Sequence, residues 1–379
     1  MRPGIGAQEY RAALLVLASI AVVACGGGGD SASAPPPGPS PSVSGVSGTA
    51  SHGNSLTIMG SSFGSKNHAG PAIYDDFDDA AVDDIATPTG GREPQIHQGI
   101  FSSHNEWEYS VGGTNAPNVV RDASFPKALS TYHARSVFSN TDYFRLSVAV
   151  SGDNFDTGGE RYISFYYRFR KTSAGHGRQT KAWVVFPNGS ASDAAYWSTA
   201  FGICEVGGWR QHLAQTGSEQ PSSIDGPEID DEWVRFESYI KQSAANTANG
   251  AWHQTTYRPN LGMPAKEVLT WDNRTMRTSA TNWEFWEFGG AFYDVCFPGD
   301  TATIDIDEFY MDSTRARVEI CNAPTFSAST HCELQLPTAW SVTSITVEFT
   351  KGYLGPQAYV YVINAAGSLN SSGFPISVF

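Results

Sequence analysis

Trp233-Val-Arg-Phe-Glu-Ser-Tyr-Ile-Lys241 alternates between two kinds of position along its length. A strand throws successive side chains to opposite faces, so a period of two reads as a strand buried on one side. Trp233, Arg235, Glu237, Tyr239 and Lys241 share one face, while Val234, Phe236, Ser238 and Ile240 share the other and must pack on a second layer. In residues 162–170 the same rule groups Tyr166, Arg168 and Arg170 against an inward Phe165, Tyr167 and Phe169. Lys181 and Trp183 oppose Ala182 and Val184, and His133 and Arg135 share a face of residues 132–138. Residues 283–288 and 303–311 are also strand-like, and no convincing stretch of 3.6-residue period interrupts the series. The expected fold class is all-β.

Composition agrees. With 16 Tyr, 21 Phe, 10 Trp and 38 Gly, the chain carries short aromatic runs punctuated by turn formers, which favours strands over helices. The formal charge is −14. That argues against a nucleic-acid partner and against electrostatic adhesion to anionic lipid, and it means an acidic ligand would need a locally basic cleft.

The first residues read as an export signal. Arg2 and Arg11 precede a short aliphatic run over residues 12–23, too short to span a bilayer. Val22-Val-Ala-Cys25 resembles the lipobox of bacterial lipoproteins, with Val22 where Leu is usual, and the resemblance implies lipidation at Cys25. Gly26 after the cysteine points to the outer membrane, with the lipid as the sole membrane contact. Residues 1–24 are then the signal peptide, and the Gly/Ser/Pro-rich residues 25–42 a disordered tether with almost nothing to build a core. Removing Arg2, Arg11 and Glu9 leaves 22 basic and 37 acidic residues, a charge of −15.

Four cysteines follow Cys25, an even number that suggests two disulfides in an exported chain. Cys321 and Cys332 are the local pair, leaving Cys204 with Cys296. The spacing offers no zinc motif.

Residues 55–64, Ser-Leu-Thr-Ile-Met-Gly-Ser-Ser-Phe-Gly, resemble the opening hairpin of IPT/TIG immunoglobulin-like domains. The alternating residues 340–349 and 358–367, the latter ending Val-Ile-Asn-Ala-Ala-Gly, resemble the closing strands of the same family. The resemblance implies one small Ig-like sandwich split between residues 43–70 and 316–379, interrupted by a larger domain over residues 71–315. That larger domain, with its closing Ile304-Asp-Ile-Asp-Glu-Phe-Tyr-Met-Asp312, resembles the concanavalin-A-like jelly rolls of lectins, glycoside hydrolases and polysaccharide lyases. The expected architecture is therefore a large antiparallel jelly-roll sandwich plus a smaller Ig-like one.

Several strands thus pair an apolar face with an aromatic and cationic one, the lining expected of a groove that stacks sugar rings and pairs with their carboxylates. The resemblance to lyases implies β-elimination from a uronic-acid polymer: one group neutralises the substrate carboxylate, a base takes the adjacent proton, and an acid protonates the leaving oxygen. Tyr239, His133 and Lys181 are the catalytic candidates, with Arg135, Arg168, Trp183, Glu237 and Lys241 as substrate-binding residues. His176 and His253 are read as surface histidines. Two alternatives stay open. One is a non-catalytic carbohydrate-binding protein or adhesin. The other is a retaining glycoside hydrolase using Glu228, Asp230 and Glu232, whose spacing matches the glucanase pattern, although Asp231 stands where that pattern has an apolar residue. No cofactor is expected, apart from the option of a structural Ca²⁺ at Asp305 and Asp307.

Overall fold

The computed structural model describes residues 38–77, 98–99, 108–112, 118–121, 132–138, 143–149, 159–171, 180–187, 196–201, 209–214, 231–258, 263–275, 283–290 and 302–379. Cys25, His176, Cys204, Glu228, Asp230 and Cys296 lie outside them. Among the described residues regular structure is β-strand, apart from one 3₁₀ turn, Phe326–Ala328.

In chain order the strands open with β1 (Ser42–Ser47), β2 (Ser55–Ser61), β3 (Ile73–Asp75), β4 (Gln98–Gly99), β5 (Glu108–Gly112), β6 (Asn118–Arg121), β7 (Tyr132–Phe138) and β8 (Tyr143–Ala149). Next come β9 (Glu160–Lys171), β10 (Thr180–Pro187), β11 (Tyr196–Phe201), β12 (Trp209–Ala214), β13 (Trp233–Lys241), β14 (Gly250–Arg258) and β15 (Met263–Arg274). The series closes with β16 (Trp283–Gly290), β17 (Ala302–Asp312), β18 (Arg317–Cys321), β19 (Cys332–Trp340), β20 (Ser344–Glu348), β21 (Gln357–Ile363) and β22 (Phe374–Ser377).

Two antiparallel sheets form the large sandwich. One has nine strands, running β15-β14-β13-β9-β17-β3-β4 with β7 and β6 continuing from β17, and the other runs β12-β11-β10-β16-β8-β5. Strand β17 is the hinge of the first sheet. One edge pairs with β9 along its length, while the other pairs with β7 at Ala302 to Ile306 and with β3 at Phe309 to Met311. A bulge between Asp307 and Tyr310, with Glu308 at a φ of 50°, marks the change of partner.

The nine-stranded sheet has two chemically opposite faces. Ile163, Phe165, Val234, Phe236, Ile240, Ile306, Phe309 and Met311 are buried on the apolar face, where the Phe165 ring lies 5.2 Å from Phe236 and stacks on Phe309 at 6.1 Å. Burying such side chains is worth roughly 1.5–3 kcal/mol each and fixes the register, because a one-residue slip would expose the whole set.

A seven-stranded sheet gathers both flanks of the chain in the order β1-β2-β20-β19-β18-β21-β22. Strand β2 pairs with β20 (Leu56 opposite Val347), so residues from opposite ends of the sequence share one ladder. Strand β19 gives its first half to β18 and its second to β20, and an isolated bridge joins Ala50 to Val378. The sheet curls around a separate core of Leu56, Ile58, Phe63, Val318, Ile320, Ile345, Val347, Val360 and Val362. Cys321 and Cys332 form a disulfide between the paired ends of β18 and β19.

Candidate functional site

Because the apolar residues of β18 turn into their own core, Arg317, Glu319 and Cys321 must point the other way. They meet the polar face of the nine-stranded sheet. Arg317 donates to Glu319 at 2.5 Å and lies 3.7 Å from Glu237, while Arg235 pairs with Glu237, donates to the Cys332 carbonyl and reaches Glu319 at 3.7 Å. Two guanidinium groups and two carboxylates are thus buried together with balanced charge. Such a set is costly to break, since a stranded partner loses its solvation without recompense. Burial, then Glu319, raises the Glu237 pKa, with Arg235 and Arg317 opposing. Two residues along β9 from Ser164, the Tyr166 hydroxyl donates to both oxygens of Glu333, at 3.2 and 3.1 Å. His331 Nε2 lies 2.7 Å from the same carboxylate.

This seam divides the polar face in two. On one side lies a cluster built on Asp305, which is fully buried. Its carboxylate accepts from Arg135 Nε at 2.6 Å, Arg168 Nη2 at 2.7 Å and Arg170 Nη2 at 3.2 Å, and His133 Nε2 lies 3.4 Å away. Burial alone would raise its pKa, but hydrogen bonds from His133 and Arg135 and the charge of Arg168 hold the carboxyl well below the usual carboxylate range. Trp233 completes the packing, 4.8 Å under the Arg168 guanidinium and 5.2 Å from the His133 ring. A carboxylate ringed by guanidinium groups is the opposite of a calcium site, and the alternation that suggested Ca²⁺ at Asp305 could not show what faced it from β7 and β9.

On the other side is a cavity of about 350 Å³, within the size range of small-molecule sites. Tyr162, Glu237, Tyr239, His253, Thr255 and Tyr257 form its floor, on β9, β13 and β14. Arg315, Arg317, Phe326, Ser327, Ile363, Gly367 and Leu369 wall it from the seven-stranded side. Arg317 stacks over the Tyr162 ring at 4.3 Å and Arg315 over the Tyr239 ring at 4.4 Å. Among the described residues no carboxylate lies within ion-pair distance of Arg315, and its buried Nε has no hydrogen-bond partner. Burial, then the charge of Arg317, lowers its pKa. Gly367, at a φ of +81°, makes room for it: a Cβ there would lie 2.5 Å from Arg315 Cζ. Tyr239 meets His253 edge-on at 5.8 Å, and His253 Nε2 lies 2.9 Å from Asp272 Oδ1. Burial, then Glu160, pushes the Tyr239 phenol up, so it holds its proton across the neutral range.

The sequence-derived candidates are distributed across this geometry. Tyr239 and Glu237 line the cavity, and Lys241 flanks it as a half-exposed partner of Glu160 at 3.3 Å. His133, Arg135 and Arg168 belong to the Asp305 cluster beyond the seam. Lys181 and Trp183 lie on β10, in the six-stranded sheet, so the structure does not bring Lys181 to Tyr239 and Arg135 as the alternation suggested. Alternation assigns faces within a strand; it does not say which sheet a strand joins. In the acidic turn, Asp231 is at a φ of 54° and Glu232 is spent on Arg258 at 2.5 Å. Arg315 and Arg317 were not singled out, and His253, read as a surface histidine, lines the cavity. The available signal was Arg315-Ala-Arg317-Val-Glu319-Ile-Cys321, which puts a polar face on a strand whose apolar residues already have a core.

No protein-family model matches the chain, and no curated protein does. Among solved structures it is similar to the alginate lyase Aly36B, with 10% identity, a TM-score of 0.44, and coverage of 64% of this chain and 98% of that one. It is also similar to an alginate lyase from Aplysia kurodai (10% identity, TM-score 0.43, covering 58% and 96%). An endo-β-1,4-glucuronan lyase from the fungus Trichoderma reesei matches at 11% identity and a TM-score of 0.39, covering 55% and 95%.

Proposed function

We propose that the chain recognises a uronic-acid polysaccharide in the cavity around Tyr239 and cleaves it by β-elimination. The observation that carries this reading is Arg315, a guanidinium held over an aromatic ring, inside a cavity, with no carboxylate of its own among the described residues. Arg315 is half-buried and its shielded Nε has no hydrogen-bond partner, so an anionic ligand would satisfy it. In a chain of net charge −14 it is also the local basic feature that an acidic sugar requires.

The chemistry follows from the neighbours. Arg315 neutralises the uronate carboxylate, which acidifies the adjacent C–H. His253, oriented by Asp272, takes that proton as base. The electron pair forms the carbon–carbon double bond as the glycosidic C–O bond breaks. The leaving oxygen takes its proton from Tyr239, whose raised pKa keeps the phenol protonated. We further propose that the protein is an exported lipoprotein anchored through Cys25, in which case Cys25→Ser should release it from membranes.

The test is to incubate the chain with a panel of alginates, polyglucuronate and neutral glucans, following the ultraviolet absorbance of unsaturated products. Tyr239→Phe, which keeps the ring and loses the proton, should cut elimination by roughly 10²–10⁴-fold and spare binding. Binding without absorbance would leave a lectin. Reducing ends without absorbance would make the chain a hydrolase, and retention of neutral glucans alone would remove the role given to Arg315.

A further inference from the structure

We propose that the cavity accepts the end of a polysaccharide chain and excludes its interior. This rests on the cavity being the sugar site, and adds how a polymer can reach it.

A polymer bound along its length needs a groove open at both ends, and here the protein closes three sides. On β14 the floor reaches Tyr257, opposite Arg235, and along β9 and β13 it stops at Tyr162 and Glu237. Two residues further on, about 6.6–6.8 Å, Arg235 is bonded to the Cys332 carbonyl and Ser164 contributes its hydroxyl to Arg235 at 3.3 Å. One step beyond, Tyr166 is bonded to Glu333. Across the strands, Leu336 of β19 is buried in one cluster with Tyr162 and Tyr310, and Lys66 pairs with Asp312 at 2.6 Å behind them. Overhead, Phe326, Ile363 and Leu369 form the wall that faces Tyr239 and Tyr257. Among the described residues two adjoining flanks remain open: the one toward β14 and β15, where the His253 side chain is 19% exposed and that of Asp272 55%, and the strand end at Lys241, whose side chain is 46% exposed. A chain terminus can enter at this corner, but a polymer running straight through in either direction would have to leave through the seam or beneath Leu336.

The polar face beyond the seam does not extend the groove. Its arginines converge on Asp305, so a polymer crossing under the seven-stranded sheet would have to displace a buried ion cluster as well as Tyr166. The seven-stranded sheet that covers the polar face therefore sets the mode of attack. A sandwich whose polar face lay uncovered would bind polymers along their length, whereas this one is left with a pocket.

The experiment compares alginate and polyglucuronate as intact polymers with the same material digested to short oligosaccharides at equal uronate content. With the full chain, binding should rise in proportion to the number of chain ends, and small unsaturated products should accumulate from the start while polymer viscosity barely falls. An early collapse of viscosity, or binding that follows uronate mass whatever the chain length, would overturn end recognition and leave the sugar site standing. Neither binding nor absorbance with any of these probes would remove the site itself, and end recognition with it.

Discussion

The two cationic ends of one sheet face contain the same residue types and do opposite things. Around Asp305, three arginines converge on one carboxylate that solvent never reaches. Around Tyr239, Arg315 lies in a cavity with an aromatic ring beneath it, and among the described residues no carboxylate forms an ion pair with it, Asp272 and Glu160 acting on it only from a distance. An arginine is thus uninformative until its counter-ion is located: paired, it holds strands together; unpaired in a cavity, it is the group to which we assign a ligand. The seam between the two ends is what keeps them distinct.

The largest effect expected is at Asp305. Asp305→Ala should destabilise the fold by about 3–5 kcal/mol, because it strands buried guanidinium groups, and thermal or urea unfolding would show it. The sign with pH follows from the direction of the shift. The folded-state pKa is depressed, so the stability due to Asp305 is fully present above the unfolded carboxylate range and is lost as pH falls toward the folded value. Acid titration should therefore weaken the native protein below about pH 4 and weaken Asp305→Asn less. Equal acid sensitivity of the two would break the comparison from this side.

Arg315→Gln tests the other end. Elimination should fall on the order of 10²–10³-fold, about 2.7–4 kcal/mol in the barrier, while the unfolding midpoint stays where it is or rises. A large loss of stability would mean that Arg315 is as structural as Arg168.

The seam comes next. Tyr166→Phe removes the hydroxyl that donates to the buried Glu333 carboxylate and should cost about 1.5–3 kcal/mol, measurable by urea unfolding. The smallest change belongs to Lys241, whose ion pair with Glu160 is half in solvent. Lys241→Ala should shift stability by less than about 1 kcal/mol, and that shift should vanish at high salt. A larger, salt-insensitive cost would place Lys241 among the buried pairs.

How much of this was legible follows from what alternation can carry. It is a local signal, so it separated Phe165 and Phe236 from Arg168 and Arg235, and gave the all-β class, without any knowledge of partners. Sheet membership is not local. Lys181 alternates as cleanly as Tyr239, yet its strand pairs with β11 and β16, and nothing within residues 180–187 announces that. Nor can alternation say whether a polar face meets water or protein. Tyr166 and Arg235 read as groove residues and lie under β19, because the residues that cover them come from 97 or more positions away. His253 was passed over for a similar reason, since its orienting partner Asp272 is on the next strand.

The pairing of β3 with β17 has a consequence for how the molecule is made. Strand β2 must find β20 across most of the chain, and such distant contacts slow folding because the loop has to close before any bond rewards it. Ile73 opposite Met311, and Asp75 opposite Phe309, tie together the two ends of the intervening segment. Once that ladder exists, the flanks emerge side by side, and the remaining search from β2 to β20 spans tens of residues in place of hundreds. On that route the β2–β20 ladder would close after the large sandwich, and the cavity walled by the seven-stranded sheet would be completed late. A defect deep in the large sandwich would then be felt first as a missing cavity, long before the sandwich itself came apart.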